Sequence, residues 1–231
     1  MEEMVTFFST LMTVDPNINL DNQVDFLRVI PPLVSKEHNK VLSSIPKDDE
    51  IFKVVCSLGG DKAPSANGFP MFFFQKLWKL VGKDVCDAVK EFYGAKQMLK
   101  EVNSTFLCPI PKKIGADSPG QFRPISLCNS FYKVISKFLT SRLLHVIPLI
   151  IADQQNGFIP GRQILNSVIP AHENIHSLSC SNNQGFIMKV DIAKAYDKID
   201  WTFLSNILHT FGFDHKVVGL IHLLISISSI V

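Results

Sequence analysis

The sequence lacks several features that mark common functional classes. Its five cysteines are scattered along 231 residues, and none belongs to a Cys-x-x-Cys pair or lies at zinc spacing from a histidine. We therefore expect free thiols in a reducing compartment rather than a disulfide framework or a zinc site. The amino-terminal stretch MEEMVTFFSTLMTV begins with acidic residues, whereas a secretory signal begins with basic ones, so no export signal is predicted.

Long hydrophobic runs and a strong net charge are also missing. The last fifteen residues, VVGLIHLLISISSIV, are apolar but shorter than the roughly 20 residues that span a bilayer. We expect an intracellular, soluble protein without a membrane partner, in either the nucleus or the cytoplasm. Because this apolar run has no polar cap, we interpret it as part of an interrupted domain. The formal net charge of +2 does not by itself indicate nucleic acid, although it can conceal a local basic patch.

The sequence does contain enough apolar residues, 46%, for a substantial core. Helical periodicity is found in residues 21–30, 48–57, 69–81 and 83–96, with Gly59 and Gly60 ending the second of these segments. The aromatic stripe in 69–81 is more typical of core packing than of base stacking. The first hundred residues are therefore predicted to be a helical scaffold.

A basic segment follows this scaffold. Residues 104–111 and 125–129 are predicted strands of a two-stranded ribbon, and residues 130–146 form a predicted amphipathic helix. Between Ser104 and Val146 there is a single acid, Asp117, and there are six basic residues: Lys112, Lys113, Arg123, Lys133, Lys137 and Arg142. This segment is the predicted basic patch.

The last third of the chain ends its apolar runs at polar residues. Turns are predicted at 156–157 and 160–162, a helix at 166–178, a buried strand at 185–190, and a helix at 201–211 with Asp200 as its N-cap. Asp191 follows the predicted strand, where a buried charge requires compensation by a metal, a cation or hydrogen bonds. Asp197 and Asp200 are interpreted as acids that favour the start of the next helix. From chemistry alone, Asp191 is either a metal ligand or a turn residue.

An ordered series of motifs favours the interpretation of Asp191 as a metal ligand. The segments LCPIPKK, FRPISLCNSFYKVISKFLTSRL, DQQNGFIPGRQI and KVDIAKAYDKIDW occur in that order, after DKAPSANGF. Together they resemble the reverse transcriptase domain of a LINE-type (non-LTR) retrotransposon, of the kind abundant in plant genomes. The resemblance extends from about Asp61 to the last residue.

The resemblance implies an α+β, right-hand polymerase fold. Residues 1–60 would be a helical extension, 61–184 the fingers, and 185–231 the start of an incomplete palm. The family's reaction adds a dNTP to a DNA primer on an RNA template with two Mg²⁺ ions, and no obligate oligomer is expected. The sequence contains no Ala-Asp-Asp turn for the remaining metal carboxylates, so we expect a polymerase fragment that is inactive alone.

The resemblance also implies roles for individual residues. Asp191 would be the catalytic, metal-binding carboxylate, with the carbonyl of Ile192 as a further metal ligand. Tyr196 would lie under the sugar of the incoming nucleotide, and Arg123 would grip its triphosphate. Lys112 or Lys113 would assist Arg123, and the sequence leaves the choice between these two open.

The remaining assignments concern the template and the departures from the family pattern. Gly161 and Arg162 are the predicted template-binding residues, with a surface turn arginine as the alternative for Arg162. The segment 65–67, Ser-Ala-Asn, stands where the family usually has Gly-Pro-Asp. A non-catalytic nucleic-acid-binding remnant that uses the basic fingers surface is the alternative function. A metal hydrolase built from Asp191, Asp197 and Asp200 is disfavoured, because no histidine or second strand-end carboxylate accompanies them.

Overall fold

The computed structural model describes residues 2–11, 21–62, 64, 67–180, 185–191, 199–226 and 229–230. Helices predominate in this part of the chain, and one small sheet accompanies them, so the fold class is α+β. The helices are α1 (Glu2–Leu11), α2 (Asp21–Arg28), α3 (Lys36–Ser43), α4 (Asp48–Ser57), α5 (Met71–Lys76), α6 (Trp78–Ala95), α7 (Lys100–Asn103), α8 (Ser130–Leu143), α9 (Ile147–Ile150), α10 (Leu165–Cys180), α11 (Trp201–Thr210) and α12 (His215–Ser226). The strands are β1 (Ser104–Pro111), β2 (Phe122–Cys128) and β3 (Ser229–Ile230).

Side-chain caps explain where several helices begin. The Asp200 carboxylate accepts a bond of 2.6 Å from the Phe203 amide and caps α11 as predicted. The Asn129 amide oxygen caps α8 in the same way through the Phe131 amide, at 2.9 Å. At the other end of α11, Gly212 has φ +97°, a conformation that favours glycine and ends the helix.

Two helices are found in residues 69–96 as predicted, but the predicted boundary between them, at residues 81–83, is wrong. The break falls at Leu77, where ψ is 21°, and α6 then continues through Gly82. Gly82 lies against the Trp78 indole, since a Cβ there would be 2.7 Å from the ring. The glycine therefore permits close packing inside a helix instead of ending it.

Two hydrophobic clusters unite the helices. The larger contains buried side chains of α4, α5, α6, α8 and α12, including Val55, Val89 and Phe138. The smaller joins the segment before α3 to the start of α12, with Val34 and Val217 as members. Among the described residues, no helix is both long enough and apolar enough to cross a bilayer.

One predicted member of the basic patch belongs to this interior. Arg142 is 8% exposed, and its guanidinium donates to the carbonyls of Leu42 at 3.3 Å and Ser44 at 2.6 Å. It also pairs with Glu50 at 3.5 Å and lies 4.5 Å from the centroid of the Phe138 ring. Including Arg142 in the surface patch was therefore wrong, because this cation links α8 to the end of α3 and the start of α4.

The sheet has the order β2-β1-β3, with β1 antiparallel to β2 and parallel to β3. The predicted ribbon is confirmed, with Thr105 opposite Cys128 at its base and Pro111 opposite Phe122 at its tip. Thr105 is 2% exposed, whereas β1 is exposed from Cys108 onward. The ribbon is thus rooted in the helical body and projects its tip into solvent.

The predicted buried strand at 185–190 is wrong. Residues 185–191 are exposed and form no strand ladder, and the side chains of Phe186 and Val190 are 84% and 74% exposed. A strand is buried only when neighbouring strands and a covering layer surround it, and this segment joins no strand in the described part of the chain. The Asp191 carboxylate is therefore exposed, and burial does not require a metal to compensate its charge.

Candidate nucleic-acid interface

The tip of the ribbon presents three basic residues. The Lys112 amide donates to the Gln121 carbonyl at 2.8 Å, and its ammonium donates to the Gly120 carbonyl at 2.8 Å. The Lys113 and Arg123 side chains are exposed and form no ion pair within the described residues. Lys112 therefore helps to close the loop, whereas Lys113 and Arg123 remain available for an anionic ligand.

The ribbon fixes the position of Arg123 more firmly than that of Lys113. Arg123 lies in β2 directly opposite Ile110 of β1, and such a pair places both side chains on the same face. Lys113 lies in the loop that joins the strands. A side-chain pair between Asp117 and Gln121, at 2.9 Å, braces that loop.

The predicted catalytic segment is described only in part. Asp191 is exposed at the end of the segment 185–191, while Ile192, Tyr196 and Asp197 lie outside the described residues. Asp200 is the helix cap described above and is therefore committed to α11. Within the described residues, no group of three histidine, cysteine, aspartate or glutamate side chains could hold a metal ion.

The predicted template-binding residues shape their own loop. The Arg162 guanidinium donates to the carbonyls of Ala152 at 2.5 Å, Gln155 at 2.8 Å and Ile151 at 3.1 Å. Its side chain is 15% exposed, and a contact of 3.3 Å to Asp153 completes its environment. Gly161 has φ +79°, so a side chain at this position would strain the turn. Arg162 thus holds the loop together, and any contact with a template would be made by the loop that it orders.

Helix α8 divides its charged and apolar residues between two faces. Val134, Ile135, Phe138 and Leu139 are buried in the larger cluster. Lys133 and Lys137, four residues apart, are half-buried and exposed respectively, and they form no ion pair within the part of the chain that the structure describes. Five of the six basic residues between Ser104 and Val146 therefore remain at the surface.

Sequence reasoning missed two features next to α8. The Asn67 amide donates to the Asn129 side chain at 3.0 Å, and the Ser130 hydroxyl donates to the Phe69 carbonyl at 2.6 Å, so the loop before α5 is tied to the start of α8. Lys62, in the same loop, lines a cavity together with residues of α8. The spacing of lysines and hydroxyl residues along α8 is the signal that could have directed attention to this face.

Comparisons with known proteins agree with the motif series. The family described as reverse transcriptase (RNA-dependent DNA polymerase) matches residues 110–230. The chain is 25% identical over 214 residues to the transposon TX1 uncharacterized 149 kDa protein of Xenopus laevis, a match that covers 93% of this chain and 16% of that protein. It is 27% identical over 108 residues to the retrovirus-related Pol polyprotein from type-2 retrotransposable element R2DM of Drosophila melanogaster. That match covers 45% of this chain and 10% of the Drosophila protein. The chain thus spans less than a fifth of the length of these relatives.

Proposed function

Because the chain belongs to the reverse transcriptase (RNA-dependent DNA polymerase) family, in the LINE-type (non-LTR) group that its motifs indicate, we propose that it supplies the fingers and the first part of the palm of a right-hand polymerase. In the longer protein, the polymerase adds dNTPs to a primer 3′-hydroxyl on an RNA template. The proposal is supported by the family match and by the two retrotransposon relatives. A plant-type origin stays a prediction from the motifs.

The observation on which the proposal rests is the set of free cations on the ribbon and α8. Lys113 and Arg123 at the ribbon tip, and Lys133 and Lys137 on α8, lack acidic partners in the described residues. Cations without acidic partners neutralise phosphates and release counterions, which is the main source of non-specific affinity for nucleic acid. The surface therefore suits a template-primer or a nucleotide.

Within this surface, the side chains have separate roles. The planar guanidinium of Arg123 binds the triphosphate of the incoming nucleotide through two parallel hydrogen bonds, a geometry that a lysine does not provide. Lys113 assists it as a point charge, because one of the three N–H donors of the Lys112 ammonium is used by the Gly120 carbonyl, which holds that side chain to the loop. Gly161 and Arg162 act on the template indirectly, by ordering the loop of residues 151–162.

The metal chemistry of the family requires more than this surface. Two Mg²⁺ ions would stabilise the attacking and leaving oxygens of nucleotide transfer. Asp191 offers the oxygen donor that Mg²⁺ prefers, with the Ile192 carbonyl as a predicted second donor and Tyr196 as the predicted sugar contact. The described residues alone do not fit a two-metal site, since no group of three potential ligands lies together among them. We propose that these 231 residues bind template-primer without extending it.

One experiment tests binding and inactivity together. An RNA template annealed to a DNA primer is mixed with the chain, Mg²⁺ and dNTPs, and both complex formation and primer extension are measured. We expect binding that weakens steeply between 50 and 200 mM salt, and no extension. Robust extension would contradict the proposed inactivity, whereas affinity that does not depend on salt would contradict the basic interface.

The alternative function, a binding remnant without any role in polymerisation, makes a different prediction for Arg123. If Arg123 holds a triphosphate, Arg123→Gln weakens dNTP binding more than it weakens RNA binding. A general backbone contact would instead weaken RNA binding and leave dNTP binding unchanged. Equilibrium binding of a fluorescent dNTP distinguishes the two, with Lys36→Gln on α3 as the control for lost charge.

A further inference from the structure

A cavity of about 300 Å³ separates α8 from the loop that follows α4. Its polar lining consists of the three lysines Lys62, Lys133 and Lys137 and the two hydroxyl residues Ser136 and Thr140. None of the described residues that line it is acidic. The lining is therefore uniformly cationic where it is charged, although the chain as a whole has a net charge of only +2.

The helical repeat explains why four of these residues share one face. Positions 133, 136, 137 and 140 follow the i, i+3, i+4, i+7 pattern, and the opposite face of α8 is buried. Two lysines four residues apart repel each other, which destabilises an isolated helix by about 0.2–0.5 kcal/mol. The hydroxyls of Ser136 and Thr140 do not cancel this charge, because they are neutral, and their O–H groups donate to the carbonyls of Lys133 and Ser136. A bound anion would relieve the repulsion.

The third lysine comes from a different element. The Lys62 stem lies over Gly59, since a Cβ at Gly59 would be 3.2 Å from Lys62 Cε. A glycine at position 59 thus leaves room for the lysine along the cavity wall. Two lysines of α4 and α6 do have acidic partners: Lys53 lies 3.9 Å from Asp49, and Lys90 lies 2.5 Å from Asp48. Within the described residues, the three lysines of the cavity have no such partner.

We propose that this lysine cavity, formed by Lys62, Lys133 and Lys137, binds backbone phosphates of single-stranded RNA. The proposal rests on the proposed nucleic-acid function and adds a second contact region to the ribbon tip. Lysine ammoniums are mobile point charges rather than rigid forks, so they suit a polyanion that passes along the surface better than one fixed planar group. The contact is to phosphate and is independent of base sequence.

The test compares two triple variants of the 231-residue chain. The first, Lys62→Gln/Lys133→Gln/Lys137→Gln, removes the cavity charges, and the control, Lys36→Gln/Lys40→Gln/Lys216→Gln, removes three exposed lysines elsewhere. Binding of a fluorescent 20-nucleotide RNA is followed by anisotropy at several salt concentrations. Each lost phosphate contact lowers the slope of log affinity against log salt by about 0.7, so the cavity variant should lose about 2 in slope and the control should keep its slope.

A footprint on the unmodified chain makes the test independent of folding defects. Lysine acetylation is measured by mass spectrometry with RNA, with a dNTP or with inorganic phosphate. Of the three ligands, only RNA should protect Lys62, Lys133 and Lys137 from acetylation. Lys36 and Lys40 should react equally in all samples. Protection by dNTP or inorganic phosphate but not by RNA would overturn the assignment to a strand.

Failure of this inference is distinguishable from failure of the proposed function. If the unmodified chain binds RNA, but the cavity variant matches the control in slope and RNA does not protect Lys62, Lys133 and Lys137 of the unmodified chain from acetylation, the cavity assignment is wrong and the ribbon interface stands. If the unmodified chain does not bind RNA at any salt concentration, both are wrong.

Discussion

Replacement of Arg142 by methionine tests whether this cation is structural rather than nucleic-acid binding. The side chain is 9% exposed, and its guanidinium donates to the carbonyls of Leu42 and Ser44. Methionine fills similar space without donors, so two carbonyls lose a partner in a largely dry environment. We therefore expect Arg142→Met to destabilise the fold rather than to alter its surface.

The magnitude follows from the individual contacts. A buried carbonyl that loses its donor costs about 1–3 kcal/mol, and the stacking on Phe138 contributes about 0.5–1 kcal/mol. The ion pair with Glu50 adds little, because the Glu50 side chain is 43% exposed and the contact is 3.5 Å long. The two carbonyls and the lost stacking together give an expected loss of unfolding free energy of about 2.5–7 kcal/mol, a large part of the roughly 5–15 kcal/mol that stabilises a typical domain.

Urea unfolding followed by circular dichroism measures this loss. With a slope of about 2 kcal/mol per molar, the midpoint of Arg142→Met should fall by about 1 M or more. Arg142→Lys keeps the positive charge but lacks the planar guanidinium, so its urea midpoint should lie between those of the unmodified chain and Arg142→Met. Lys137→Met is the matched control on the same helix and should shift stability by less than about 0.5 kcal/mol, because its side chain is exposed. A midpoint for Arg142→Met equal to that of the control would refute the assignment.

Three further predictions concern the backbone, a polar bridge and a thiol. Gly212→Ala should reduce the unfolding free energy by about 1–3 kcal/mol, because φ is +97° and the new Cβ would lie 2.8 Å from a backbone carbonyl before α3. The control is Gly219→Ala in α12, which has open space around it and should not destabilise the protein in the same urea titration. Asn67→Asp should cost about 1 kcal/mol, since it removes the donor to Asn129, and an unchanged unfolding midpoint would contradict that reading. Burial, together with the nearby Asp48, raises the pKa of Cys86 to about 11. Iodoacetamide at pH 8 should therefore label Cys86 at least about 100-fold more slowly than a free thiol, and the rate should rise as the pH approaches 11. Labelling of Cys86 as fast as that of the exposed cysteines would exclude such a shift.

Local patterns in the sequence predicted most of the elements correctly. The helices at α2 and α4, the ribbon strand 104–111 and the capped helix after Asp200 are all found where periodicity and capping residues place them. The interruption at Leu77 was missed because it depends on how α5 and α6 pack, not on a proline or a glycine at the break. These successes and this error have the same cause, since short-range patterns report on single elements and not on their partners.

The burial of individual side chains was less predictable. Phe186 and Val190 read as strand-core residues, yet they are exposed because the described fold offers no neighbouring strand to receive them. Arg142 was assigned to the surface by its charge, although the sequence contained a signal against this. The buried positions 135 and 138 of α8 place residue 142 on the same stripe, at i+7 and i+4. Lys133 and Lys137 lie off that stripe and remain at the surface.

The division of the cations follows from their chemistry. A guanidinium has five donors in a fixed plane, and both Arg142 and Arg162 use theirs to bind several backbone carbonyls of the same chain. An ammonium is more strongly hydrated and less suited to buried, multiple contacts, which favours its use at the surface. A count of basic residues in the sequence therefore overestimates how many cations can bind nucleic acid, because some arginines bind backbone carbonyls of their own chain instead. Arg123 is the exception that strengthens the site assignment: it lies exposed on β2 and forms no ion pair among the described residues, so its donors remain free for a ligand.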